Sequence, residues 1–203
     1  EPISPIVDRY IASFSGAFAG TEVPAFWPAL FTDAQLPPGF DGKQPWSVIA
    51  LGAAHAGKAM ELEMLRGVIA ASSRRIVLIG GESETARALD LDAESWVGST
   101  SIAQSAAILR GAQAVIAGDT GMMHLAAALG CRVVTVWGCT RPSLGMGAWR
   151  AATGSVDVLP EGRGEQRPCS KLGDRCRFKG PSTCSAHVDT NAVLEAWEAA
   201  NGY

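Results

Sequence analysis

The sequence predicts an α/β domain built on a doubly wound parallel sheet, and three observations lead there. From about residue 46 onward, short apolar runs alternate with stretches of helical spacing. The runs are β-branched and lack polar alternation, as expected of strands buried on both faces. Apolar residues make up 47% of the 203-residue chain and charged residues 18%, a balance that allows a real core.

Trp46-Ser47-Val48-Ile49-Ala50-Leu51 reads as the first buried strand, and residues 58–71 as a helix after it. A second strand over residues 75–79 ends at Gly80-Gly81. A short helix at 84–89 and a brief strand at Trp96-Val97 follow. Residues 101–109 have helical spacing, with Ile102, Ala106 and Leu109 on one face. Residues 114–117 are a strand, 122–129 a helix and 133–137 a strand. A final helix covers 190–200, with Thr190 as N-cap and Val193, Leu194 and Trp197 as its apolar face.

The flanking segments differ in character. Residues 1–45 hold one helical pattern, at 6–18, and then a Pro- and aromatic-rich stretch at 23–40. With no α/β units of their own, they read as a linker or the edge of another domain. The domain proper is then 46–203, containing a Gly-, Pro- and Cys-rich loop at 141–187.

A net charge of −3 argues against a nucleic-acid partner, which selects a basic face. The apolar runs at 112–117 and 133–137 fall far short of the roughly 20 residues a membrane span needs. Glu1-Pro2-Ile3 does not open a signal peptide. The absence of an initial Met suggests a processed or truncated chain. Five cysteines in a chain with a substantial core suit a reducing cytoplasm better than a disulfide scaffold.

The chemistry is concentrated in Gly118-Asp119-Thr120-Gly121-Met122-Met123-His124, between a strand and a helix. Ligands of open α/β sheets sit beyond the carboxyl ends of the strands. A helix that starts there offers unpaired N–H groups and about half a positive charge, an anion site. Gly121 lets a phosphate approach the backbone closely. The competing reading is that Asp119 or Thr120 merely caps the helix.

The run Asp119-Thr120-Gly121-Met122-Met123-His124-Leu125-Ala126-Ala127-Ala128-Leu129-Gly130 resembles the signature of glycosyltransferase family 9, the heptosyltransferases. Gly52-Ala53-Ala54 with Lys58, Gly80-Gly81-Glu82, Gly98-Ser99-Thr100-Ser101 and Trp137-Gly138-Cys139-Thr140-Arg141-Pro142 resemble further segments of that family, in its order. Together they span about residues 48–200. The resemblance implies the C-terminal, Rossmann-like half of a two-domain GT-B enzyme. That half holds a nucleotide-sugar, while the N-terminal half supplies the acceptor site and general base.

The resemblance also implies roles. Thr120 and Gly121 would donate to the pyrophosphate, Asp119 would orient the loop or meet the sugar, and His124 would lie near the diphosphate. Lys58 would offset phosphate charge, Glu82 would meet the ribose hydroxyls, and Thr100 would flank the base. These roles are physically sound. A departing diphosphate gains charge, so fixed donors and a cation favour the transition state, and no metal cofactor is required. The implied activity is inverting transfer from an ADP-heptose-like donor to a lipid-linked glycan such as lipopolysaccharide core. It would take place in the cytoplasm, with peripheral contact at the inner membrane.

Plainer readings remain for several of these residues. Lys58 serves equally as a solvated lysine, Glu82 and Glu84 as first-turn decoration, His55 as a loop residue and His124 as a core histidine. The sequence departs from the family where Ala59-Met60-Glu61 follows Lys58, where Ala53 and Ala54 replace hydroxyl residues, and in lacking an N-terminal half. The chain alone is therefore expected to bind a donor and scarcely transfer it.

Cys169, Cys176, Cys184 and His187 offer three thiolates and an imidazole, a candidate structural zinc set without the tight Cys-x2-Cys pairs of stronger sites. One disulfide, or none, is the alternative. Two other functions compete with transfer: a nucleotide-sugar-binding module without catalysis, and a nucleotide-dependent oxidoreductase. The second lacks Gly-x-Gly-x-x-Gly after the first strand, where Gly52-Ala53-Ala54-His55-Ala56-Gly57 stands.

Overall fold

The computed structural model describes residues 3–13, 31–162, 168–169, 172–175 and 184–202. Among the described residues six strands form one sheet: β1 (Trp46–Ala50), β2 (Arg75–Ile79), β3 (Glu94–Ser95), β4 (Val115–Ala117), β5 (Val133–Val136) and β6 (Val156–Val158). Their order is β3-β2-β1-β4-β5-β6 and every pairing is parallel. The helices are α1 (Ile6–Ser13), α2 (Leu62–Ala71), α3 (Thr85–Leu89), α4 (Ile102–Gly111), α5 (Gly121–Ala128) and α6 (Thr190–Asn201). This is the doubly wound α/β fold expected, and its strand order reverses direction between β1 and β4.

Two cores lie on opposite faces of the sheet because successive strand residues point opposite ways. Ile49, Ile76, Leu78, Ile116, Val134 and Val136 face one side, under Leu65 and Val68 of α2 and Val193 and Trp197 of α6. Val48, Ala50, Val77, Ile79, Val115 and Val133 face the other, under Ile108 and Leu109 of α4 and Met123 and Ala126 of α5. Each fully buried side chain of this size contributes about 1.5–3 kcal/mol.

Several elements differ from expectation. The helix expected from Lys58 is a 3-10 turn at Ala56–Lys58, and α2 begins only at Leu62. Ala59 and Glu61 are extended between them. That kink buries Met60, which remains 3% exposed. The brief strand lies at Glu94–Ser95, although Trp96 still donates its N–H to the Leu78 carbonyl (2.9 Å). Ile102, placed on an apolar face by its spacing, is 64% exposed because it opens α4 at the rim. Asp189, rather than Thr190, caps α6, accepting the Asn191 N–H at 3.0 Å. Edge strand β6 falls within the segment read as loop; it is three residues long, with only Val158 buried.

The helix expected at 6–18 is present as Ile6–Ser13, and residues 14–30 lie outside the described residues. The end of the 1–45 segment is packed on the sheet. Phe40 sets its ring edge-on to Trp46 (5.0 Å) and against Trp96 (5.6 Å). The Arg110 guanidinium donates to the carbonyls of Phe31 (2.6 Å) and Ala34 (2.9 Å).

Candidate functional site

Beyond the carboxyl ends of β1 and β4, at the strand-order reversal, the turns enclose a cavity of about 530 Å³. Its wall comprises Gly52, Ala53 and Ala54 after β1, Lys58, then Gly80, Gly81, Ser83 and Glu84 after β2, and Asp119, Thr120, Gly121, Met122 and His124 around the start of α5. The size suits a small molecule, and the crevice is where an open parallel sheet binds ligands.

Neither Asp119 nor Thr120 caps α5. Thr120 is extended (φ −144°, ψ 167°) and forms no side-chain cap hydrogen bond. Its Oγ1 is buried with no hydrogen-bond partner among the described residues. Asp119 turns away from the helix: Oδ2 meets Lys58 Nζ at 2.7 Å and accepts the Thr140 hydroxyl at 2.7 Å. The first-turn N–H groups of α5 therefore face the cavity without a side-chain cap, with the helix dipole behind them. At Gly121 an added Cβ would meet nothing within 4 Å, and its φ is not positive. Nothing in the fold calls for glycine there.

Lys58 is not a solvated surface lysine. Its side chain is 11% exposed and that of Asp119 5%. Ion pairs this dry endure only when further hydrogen bonds satisfy the charges, and Thr140 supplies one. His124, one turn into α5, has its imidazole pKa pushed below the ordinary value. Burial is the main cause; the neighbouring Lys58 charge lowers it further and Asp119 opposes both.

The remaining expected residues are placed differently. Glu82 is exposed beside the cavity, with its carbonyl accepting the Thr85 hydroxyl at 2.8 Å. Glu84 is the carboxylate in the wall, accepting the Gly81 N–H (2.9 Å) and the Ser83 hydroxyl (2.6 Å). Thr100 shares a hydrogen bond with Ser105 (2.8 Å), outside the cavity wall. His55 gives its carbonyl to the Lys58 N–H (2.9 Å) in the 3-10 turn.

Cys176 lies outside the described residues. Among the described residues no three His, Cys, Asp or Glu side chains gather closely enough to hold a metal ion. Cys184 and His187 form a 3-10 turn that packs against the Lys58 turn, where Ser185 donates to Glu61 (3.0 Å). In the sequence Thr140 stands out only as part of the segment Trp137-Gly138-Cys139-Thr140-Arg141-Pro142. A threonine just past a buried strand end was the available signal, but nothing local tied it to Asp119.

No curated protein matches this sequence. Solved structures do. An E. coli heptosyltransferase WaaC with ADP aligns with TM-score 0.66 and 23% identity, over 96% of this chain and 56% of that one. E. coli ADP-heptose lps heptosyltransferase II aligns with TM-score 0.66 and 19% identity, over 98% and 62%. A glycosyl transferase family 9 protein from Veillonella parvula DSM 2008 aligns with TM-score 0.61 and 18% identity, over 80% and 47%. This chain thus spans about half to three-fifths of those relatives and shares their fold. The family model of Glycosyltransferase family 9 (heptosyltransferase) matches residues 1–172, and the chain belongs to that family.

Proposed function

We propose that this chain forms the donor-binding part of a glycosyltransferase, and that a nucleotide-sugar seats its diphosphate at the amino end of α5. One observation carries the reading: the helix begins at the floor of a cavity with neither Asp119 nor Thr120 capping it. In this reading the backbone N–H groups of Gly121 and Met122, with the Thr120 hydroxyl, receive the phosphates. Lys58 faces the same anion, held by Asp119. As the glycosidic bond breaks, charge builds on the departing diphosphate, and these prearranged groups favour that state. Transfer in this form needs no metal. His124, kept neutral, borders the phosphates without adding a charge. A wall carboxylate meets the ribose hydroxyls, Glu84 by position or Glu82 by the family pattern, with Thr100 toward the base.

Family membership supports a heptose donor of the ADP type, transferred with inversion to a lipid-linked glycan such as lipopolysaccharide core. Two of the similar structures are E. coli heptosyltransferases, one of them solved with ADP. The general base and acceptor site belong to a preceding domain, with residues 1–45 leading from it. We infer action in the cytoplasm, at the inner face of the inner membrane, from the membrane-linked acceptor and the nucleotide donor of this reading. None of the described helices is long and apolar enough to cross a membrane. A structural zinc on Cys169, Cys176, Cys184 and His187 is a separate proposal. The buried His187 Nε2 has no hydrogen-bond partner among the described residues, but Cys169, Cys184 and His187 do not gather as a metal set there, so zinc binding requires them to draw together; elemental analysis of the purified protein tests it.

A thermal-shift panel of ADP, UDP, GDP and NAD tests the donor reading. A nucleoside diphosphate at 100 times its Kd adds roughly 2.7 kcal/mol of stability. Stabilisation by ADP but not NAD is expected. Stabilisation by none of the diphosphates overturns the reading.

A further inference from the structure

We propose that Thr140 is a positioning residue of the donor site, acting through Asp119 on Lys58; the inference rests on the donor-binding reading. Three adjacent strand ends meet here: Lys58 follows β1, Asp119 follows β4 and Thr140 follows β5. Asp119 Oδ2 is the shared atom, taking the Lys58 ammonium and the Thr140 hydroxyl proton, each at 2.7 Å. Thr140 has no exposed surface and Asp119 is 6% exposed, so water cannot substitute for the hydroxyl.

Thr140 is itself held rigidly. Its neighbour Cys139 donates both its N–H (3.0 Å) and its thiol (2.9 Å) to the Gly57 carbonyl, one residue before Lys58. Gly138 is so close to that turn that an added Cβ would sit 2.2 Å from the Gly57 oxygen. Gly173 (φ +74°) closes the far side, where a Cβ would lie 3.1 Å from Lys58 Cγ and 3.3 Å from Cys139 Sγ. The backbone around Lys58 and Thr140 is therefore one packed unit, and the Lys58 ammonium and the Asp119 carboxylate are the parts that can adjust within it. With its oxygen shared by Thr140, that carboxylate holds one orientation and directs the ammonium at the cavity. Without the hydroxyl it rotates to follow Lys58, and the cation no longer meets an anion at a set position.

The test separates the hydroxyl from the side chain's shape. Thr140→Val keeps the volume and removes the donor, while Thr140→Ser keeps the donor and removes a methyl. ADP affinity of this chain is measured by calorimetry for both, and for each in a Lys58→Met background. Loss of a hydrogen bond to a charged group predicts an ADP Kd raised about tenfold in Thr140→Val. The Ser variant stays within about twofold of the unaltered protein, and the Val effect disappears once Lys58 is Met, as coupled residues require. Affinity that follows the methyl, or a Val effect of equal size without Lys58, overturns the role of Thr140. So does a Val variant indistinguishable from the unaltered chain. Failure of the unaltered chain to bind ADP overturns the donor reading instead, and this inference with it.

Discussion

The wall of the cavity and the layer directly behind it use glycine for opposite reasons. In the wall, a Cβ added at Gly52 or Gly121 meets nothing within 4 Å. Behind it, a Cβ on Gly57 would sit 2.1 Å from Cys139 Sγ, and one on Gly138 would sit 2.2 Å from the Gly57 oxygen. Backing glycines allow the Ala56–Lys58 turn to touch the segment after β5, so they are accounted for by packing. Gly52 and Gly121 leave open space that packing does not account for, unlike Gly80 and Gly81 of the same wall, which lie against Glu84, and the proposed donor would account for it. Stability and binding should therefore respond separately to substitutions only a few residues apart.

The largest effect is expected in the backing layer. Gly138→Ala places a methyl group against backbone that cannot rotate aside, at about 3 kcal/mol or more of stability. At this chain length that is about 6–12 °C of Tm, read by calorimetry. A Tm within 2 °C of the original contradicts the packed-unit description. Lys58→Met comes next, because it leaves the nearly dry Asp119 carboxylate without its cation and with Thr140 alone. A loss of about 2 kcal/mol is expected, softened from the cost of a fully buried pair by the Thr140 hydrogen bond. Denaturant unfolding measures it, and an unchanged midpoint would show that the pair is not desolvated.

Gly121→Val sharpens the comparison from the wall side. Stability should change by no more than about 0.5 kcal/mol, as at other surface positions. ADP affinity should fall at least tenfold, about 1.4 kcal/mol. A destabilised protein that still binds ADP normally would reverse the assignment of this glycine. The smallest effect concerns His124. Its folded pKa lies below the unfolded value, so the unfolded chain takes up the proton first as pH falls. Its contribution to stability is complete above the ordinary imidazole pKa and fades as pH drops through the interval toward the lowered folded value. His124→Gln should flatten Tm against pH in that mildly acid window, and an unaltered slope would place the imidazole in a more solvated setting.

Much of this was legible in the sequence because it depends on short-range pattern. The runs at 46–51, 75–79 and 133–137 are apolar at every strand position or nearly so, and burial on both faces of a parallel sheet follows directly. The candidate site was legible as a strand passing into a helix at Asp119, since that junction exposes helix N–H groups whatever surrounds it. What was not legible depends on distant partners. Asp119 could be read as a helix cap or as a site residue, and only the positions of Lys58 and Thr140 decide where its carboxylate turns. Glu82 and Glu84 have equal claims along the chain, whereas the 3-10 turn at Glu82–Glu84 puts only the second in the cavity wall. Edge strand β6 is half exposed and three residues long, too short to carry a period of its own.

A crystal structure of this chain with ADP decides whether the start of α5 seats the diphosphate. Both phosphates are expected within hydrogen-bond reach of the Gly121 and Met122 N–H groups, with Lys58 Nζ turned toward them. ADP bound elsewhere, with the start of α5 left bare, would contradict the donor reading.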